Sequence, residues 1–238
     1  MSASYLEDTD QTTPGFREAS RHQASLLAPL ERRALTRLAA WMPSWVGPDH
    51  LSILGLAAML LAGLFYFGAR YDRQWLHLVN LMIALNWFGD SLDGTLARYR
   101  RQQRPRYGFY VDHIIDTFGA FFLICGLAAS GLMSERIAFG TLAVFFMLAI
   151  NSYLAAYAVG KFTLSFWKFG PTELRILLII GNLFLIRQPT ARLFGSTYLL
   201  YDVGGIIGVA GMALMLVVSA IRNTRFLYRA ERINTAAA

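Results

Sequence analysis

Residues 76–133, LHLVNLMIALNWFGDSLDGTLARYRRQQRPRYGFYVDHIIDTFGAFFLICGLAASGLM, decide how the rest of the chain is read. Two apolar runs, 76–98 and 109–133, flank a short arginine-rich loop. Each is long enough to cross a bilayer as a helix, which takes ~20 mostly apolar residues. Both runs nevertheless carry acids: Asp90 and Asp93 near the end of the first, Asp112 and Asp116 near the start of the second. Spacings of three and four put each pair on one face of its helix. An ionised side chain inside a membrane span is costly and usually faces a cavity where it has a task.

Outward from this pair the same pattern recurs. Apolar stretches at 51–69, 136–160, 171–188 and 199–221 bring the number of expected spans to six. Of the 238 residues, 55% are hydrophobic and only 16% charged, far from the balance of a soluble domain. The expected fold is therefore all-α and integral to the membrane, with six transmembrane helices in one domain over 49–222. Ahead of it, 29–48 forms an amphipathic interfacial helix and turn. Residues 1–28 read as a disordered cytoplasmic tail, and 223–238 as a cytoplasmic C-terminal tail.

Arginine and lysine set the orientation, because they accumulate in cytoplasmic loops. Six spans place 17 of them on one side and 5 on the other, so both termini and the 98–108 loop are expected in the cytoplasm. In the segment before the first span, Leu30, Ala34, Leu35, Leu38, Trp41, Met42 and Trp45 recur at helical spacing, while Glu31, Arg32, Arg33 and Arg37 are expected on the opposite face. Such a helix lies in the membrane interface. The net charge of +7 sits beside the spans, which points to anionic lipid headgroups and not to nucleic acid. Cys125 is the single cysteine, which leaves no disulfide framework and no thiolate metal site.

The loop between the two acidic runs is short, so these helices are expected as antiparallel neighbours with four carboxylates converging near the cytoplasmic end. Such a cluster repels itself unless divalent cations lie between its members. Hard oxygen ligands select Mg²⁺ or Mn²⁺, and four carboxylates suggest a pair of ions able to grip a diphosphate. Gly94, Ala97 and Gly108 leave room beside the acids, and Arg98 can bind phosphate oxygens in bidentate fashion.

The pattern Asp90-x-x-Asp93-Gly94-x-x-Ala97-Arg98, a gap, then Gly108-x-x-x-Asp112-x-x-x-Asp116 resembles the signature of the CDP-alcohol phosphotransferase family. The resemblance extends over about 30–225 through the six spans and the surface helix. It implies that Asp90, Asp93 and Asp112, with Asp116 nearby, hold two divalent cations that bind the diphosphate of a CDP-alcohol donor. It implies further that Asp116 is the base toward an acceptor alcohol, that CMP leaves, that the cytidine pocket lies beside Gly94, Ala97 and Gly108, and that the enzyme is a homodimer. One departure stands out: Tyr99 to Tyr107 is one residue longer than the family's usual gap.

Secondary candidates follow. Glu173 and Arg175 open the fifth span and read either as acceptor-binding residues or as a capped helix start. His113 serves helix packing or function, Asp49 and His50 cap the first span, and Asn80, Asn86, Asn151 and Asn182 bridge helices by hydrogen bonds. Gly204, Gly208 and Gly211 form a stripe for close helix packing, and Trp75 and Trp167 fit interfacial belts. Two other functions compete. A membrane prenyltransferase needs a second, distant Asp-rich motif that this chain lacks. A cation transporter more often places its carboxylates at the midplane and repeats its motif in the second half. The donor stays open between CDP-diacylglycerol and a CDP-choline-like molecule.

Overall fold

The computed structural model describes residues 28–160 and 170–231. Most of the expected N-terminal tail lies outside the described residues, as do Lys161, Trp167, Lys168 and Arg232. Within the described residues seven helices follow one another: α1 (Ala28–Trp41), α2 (Pro48–Gly68), α3 (Trp75–Tyr99), α4 (Pro105–Ser130), α5 (Glu135–Val159), α6 (Pro171–Arg187) and α7 (Leu200–Ala230). Helices α2 to α7 coincide with the six apolar stretches. By length and composition α2, α4, α5 and α7 suffice to cross a membrane, which makes this a mostly helical integral membrane protein. Of the six helices at the apolar stretches, two fall short of that measure for different reasons. His77, Asn80, Asn86 and Asp90 dilute α3, while α6 has only 17 residues, about 26 Å at 1.5 Å each.

Local sequence sets the ends. Pro48, Pro105 and Pro171 stand in the first turns of α2, α4 and α6, where a missing N–H costs nothing. Gly131 and Gly160 close α4 and α5 in the left-handed region, at φ 75° and 68°. Of the two residues expected to cap the first span, His50 does so: its Nδ1 accepts the Gly47 N–H at 2.9 Å. Asp49 instead pairs with Arg104 in the α3–α4 loop, which raises the guanidinium pKa further above its usual range. Helix α7 continues past residue 222, where the C-terminal tail was expected to begin, as far as Ala230.

The all-helical expectation needs one addition. Two short antiparallel strands, β1 (Thr190–Leu193) and β2 (Ser196–Leu199), fill the gap between α6 and α7. Phe194 and Gly195 both take positive φ at the turn, the geometry that matches the twist of a two-residue hairpin.

Helix packing also differs from the expected neighbour pair. Helix α2 packs along both α3 and α4, which do not pack along each other. Glycines make this possible. A Cβ on Gly89 of α3 would stand 2.5 Å from the Leu51 carbonyl oxygen and 2.9 Å from the Gly55 nitrogen. One on Gly126 of α4 would stand 2.0 Å from the Gly63 oxygen. Backbone meets backbone at both crossings, as small residues allow in membrane helices. The stripe read at Gly204, Gly208 and Gly211 makes no such contact among the described residues, where Cβ atoms would meet nothing within 4 Å. Its neighbour Gly205 is the one packed, against Met133 and Ile137.

The core lies between α2, α3, α4 and α6, with Tyr66, Leu76, Val79, Ile83 and Leu185 fully buried. Amides bridge the helices there. Asn182 accepts hydrogen bonds from Tyr66 and Tyr201 and donates to Asn80, while Asn86 donates to the Gly55 carbonyl and Asn151 to Ser219. These groups have no water to turn to in a bilayer core, so mutual pairing is what makes their burial tolerable.

Helix α1 lies against α3 through Leu35 and Ala39, both buried, with Leu38 and Met42 beside them. Trp41 and Trp45, expected on the same face, are 82% and 76% exposed. Glu31, expected on the outer face, sits one turn before Leu35 and points inward to α3 and α6.

Candidate active site

Near the end of α3 that leads into the arginine-rich loop, a small cavity opens between α2, α3 and α4. Ser52 and Gly55, then Asn86, Asp90 and Asp93, then Asp112 and Ile115 line it. Three of the four acids read from the sequence therefore meet, brought together across α2 and not by direct contact of their helices. Asp116 does not line the cavity. It lies one turn farther along α4 and, with Asp112, is within electrostatic range of Tyr153 on α5. The cavity holds about 10 Å³, roughly the space of one water.

The two acids of α3 are held by polar partners. Asp93 accepts the Ser52 hydroxyl at 2.5 Å and the Gly94 backbone N–H at 2.5 Å. Asp90 accepts Arg175 Nη2 at 2.7 Å, and the same guanidinium donates through Nε to the Asn86 side-chain oxygen at 2.9 Å. Arg175 thus belongs to the acidic cluster, whereas the sequence left it between acceptor site and capped helix start. Glu173 does what a helix start needs: it accepts the Gly170 N–H at 2.9 Å. Both partners of the Arg175–Asp90 pair are mostly buried, at 16% and 24% exposure, so removing either strands a charge in an apolar setting.

The remaining candidates fall nearby. Gly94 leaves ordinary contact room, its nearest neighbour being Arg98 Nη1 at 3.5 Å from a built Cβ. Arg98 donates to Thr95 at 3.2 Å, on the exposed side of the helix. Ala97 is half-buried next to it, and Gly108, at the start of α4, faces open space. His113 is buried and packs: its ring lies 4.2 Å from Phe109 and edge-on to Tyr153 at 5.0 Å.

Several participants were not singled out in the sequence. Ser52 was hidden as one hydroxyl in an apolar run, although a polar residue facing two spans of acids is a signal. Arg100, just beyond the motif, donates to the carbonyls of Met42, Pro43 and Val46 at 3.0, 2.8 and 2.5 Å and clasps the α1–α2 turn against the end of α3.

The donor set is chemically suited to hard divalent cations, being three carboxylates and an amide oxygen. Among the described residues, however, no three acidic, imidazole or thiol side chains are grouped so as to hold a metal ion. The oxygens of Asp90 and Asp93 are instead engaged by Arg175, Ser52 and the Gly94 N–H.

The model of the CDP-alcohol phosphatidyltransferases matches residues 45–221, most of the chain and all of this site. The chain belongs to that family. It is similar to archaetidylinositol phosphate synthase of Pyrococcus horikoshii, at 28% identity over 167 residues, covering 67% of this chain and 82% of that one. It is also similar to cholinephosphotransferase 1 of Bos taurus, at 28% identity over 165 residues, covering 66% of this chain and 40% of that protein. As a CDP-alcohol phosphatidyltransferase it is a membrane enzyme of phospholipid synthesis that transfers a substituted phosphate group. The family generally depends on divalent cations.

Proposed function

We propose that this enzyme moves a phosphoalcohol group from a CDP-alcohol to an acceptor alcohol at the cavity lined by Asp90, Asp93 and Asp112, releasing CMP. The observation that carries the reading is the meeting of acids from both halves of the motif on one cavity. Asp90, Asp93 and Asp112, with Asp116 beside them, would hold two divalent cations, Mg²⁺ or Mn²⁺. When bound, these would neutralise the donor diphosphate and polarise the phosphorus under attack.

Asp116 takes the proton of the acceptor hydroxyl, whose oxygen bonds to the phosphorus bearing the donor alcohol. The bond from that phosphorus to the bridging oxygen breaks, and CMP departs with it. Gly94, Ala97 and Gly108 leave the cytidine and its ribose room to approach the α3 and α4 backbones, and Arg98 contributes bidentate hydrogen bonds to phosphate. Glu173 orients the entrance of α6, while Arg175, already at the edge of the cavity, turns to the phosphate of an incoming substrate.

Beside the cavity runs a groove of about 360 Å³ between α1, α3 and α6. Its surface is apolar, with Ile83, Ile176 and Ile179 along it, and Glu31, Thr172 and Arg175 border it with their polar atoms turned to other partners. That apolar character suits the hydrocarbon chains of a lipid substrate. One relative is named for making archaetidylinositol phosphate and the other for transferring phosphocholine, so the chains arrive with either donor or acceptor. Helices α3 and α6 complete a six-span domain, with both termini and the cavity toward the cytoplasm, a reading supported by the arginine distribution. The enzyme works as a homodimer.

The test is CMP release by purified enzyme in lipid nanodiscs, with CDP-diacylglycerol and CDP-choline each offered a panel of acceptors. Asp116→Asn is expected to lower turnover by at least about a hundredfold, the usual worth of a general base, while leaving CDP binding in place. Undiminished turnover would remove Asp116 from the base role, and no CMP from any wild-type pairing would remove the reaction.

A further inference from the structure

Glu31 is an acid on the docked face of an otherwise apolar strip. It precedes the buried Leu35 by one helical turn, and its position lines the groove between α1, α3 and α6. One carboxylate oxygen, Oε1, accepts three hydrogen bonds from two other helices: Trp87 Nε1 at 2.8 Å, Thr172 Oγ1 at 2.9 Å and Ser91 Oγ at 3.3 Å. A half-buried carboxylate in such surroundings costs free energy unless it is hydrogen-bonded, and here that cost is met by donors chosen from α3 and α6 together.

Its location gives the contact a consequence. Thr172 lies one turn before Arg175 on α6, and Arg175 reaches from the groove to Asp90 in the acidic cavity. The far end of α1 is secured separately, by the Arg100 clasp on the carbonyls of Met42, Pro43 and Val46 and by Leu35 and Ala39. Losing Glu31 therefore releases the first turns of α1 and leaves the rest of the helix and the acidic cavity in place.

We propose that Glu31 is a positioning residue for the acyl-chain-bearing substrate: by bridging α1 to α3 and α6 it fixes the wall of the groove along which that chain lies while its phosphate reaches Arg175. The inference rests on the transfer reaction proposed above and concerns only the groove. It gives Glu31 no contact with the reacting atoms. The requirement is an acceptor oxygen at Oε1, so glutamine in its place keeps the bridge and leucine abolishes it.

The experiment has two readouts. Steady-state CMP release is measured with dioleoyl CDP-diacylglycerol plus glycerol phosphate and with CDP-choline plus dioleoylglycerol, which separates acyl chains on the donor from acyl chains on the acceptor. Glu31→Leu is expected to raise KM for the acyl-bearing substrate about tenfold, with kcat and the KM of the water-soluble partner within about twofold of wild type. Glu31→Gln brings that KM back to within about threefold. In parallel a nitroxide at Arg32→Cys, in the first turns of α1 and in a Cys125→Ala background, is restricted with Glu31 present and mobile in Glu31→Leu.

An unchanged acyl-substrate KM, a common fall in kcat with both KM values raised, or a label equally immobile in both proteins would overturn the proposal. If Glu31→Leu does not fold, the pair Ser91→Ala and Thr172→Val removes two of the three donors and is read in the same way. Should wild-type enzyme release no CMP, the reaction has failed, and the label alone still decides whether Glu31 holds the groove wall.

Discussion

Adding one methyl group at Gly89 tests how the acids are brought together. The α2–α3 crossing has no room for it: a Cβ there would sit 2.5 Å from the Leu51 oxygen and 2.9 Å from the Gly55 nitrogen, against an ordinary contact of 3.4 Å or more. The obstacle is backbone, which no rotamer change can relieve, so Gly89→Ala must push α2 from α3 by about 1 Å, an overpacking strain of roughly 1–3 kcal/mol. Ser52 rides on α2 and its bond to Asp93 spans that crossing. A displacement of about 1 Å at reacting groups lowers turnover by roughly a hundredfold. The assay is CMP release together with thermal unfolding in nanodiscs. Gly140→Ala on α5 is the control, since a Cβ there meets nothing within 4 Å and only helix propensity changes. Gly89→Ala with wild-type turnover and melting would show that the close crossing does not position the acids.

Two further outcomes are expected. Gly94→Leu fills the space left beside Asp93 and weakens CDP binding by at least about tenfold, or roughly 1.4 kcal/mol, in equilibrium dialysis against labelled CDP; unchanged binding would move the nucleotide elsewhere. Tyr201→Phe removes the hydroxyl that ties α7 to Asn182 and to the Leu178 carbonyl, at a cost of about 1–3 kcal/mol in unfolding free energy without loss of CMP release per folded enzyme.

Six helices were legible because each is a long apolar run closed by proline, glycine or a charged loop, signals that act over neighbouring residues. Pro48, Pro105 and Pro171 mark three starts directly. The acids were legible for the same reason: spacings of three and four fix a common face within one helix. What the sequence did not disclose was which helices touch. The wedge of α2 depends on Gly55 meeting Gly89 and Gly63 meeting Gly126, and nothing local distinguishes those glycines from Gly208, which meets nothing. The pairing of Arg175 with Asp90 joins residues 85 positions apart, and that of Ser52 with Asp93 joins residues 41 apart. Glu31 was assigned to the wrong face because its charge suggested solvent. The periodicity that buries Leu35 and Ala39 also carries Glu31 inward, and the donors Trp87, Ser91 and Thr172 make that position tolerable. The hairpin at 190–199 escaped notice because its strands have four residues each, too few to show alternation.

The central claim is that the carboxylates at the α2–α3–α4 cavity act together on divalent cations. Its most direct test is Mn²⁺ titration of the nanodisc-embedded enzyme, followed by electron paramagnetic resonance and carried out with wild type, Asp93→Asn and Asp112→Asn. Saturable binding of a pair of ions, weakened by at least about tenfold in each variant alongside a matching loss of CMP release, is the expected result. Equal Mn²⁺ affinity in all three proteins would contradict it.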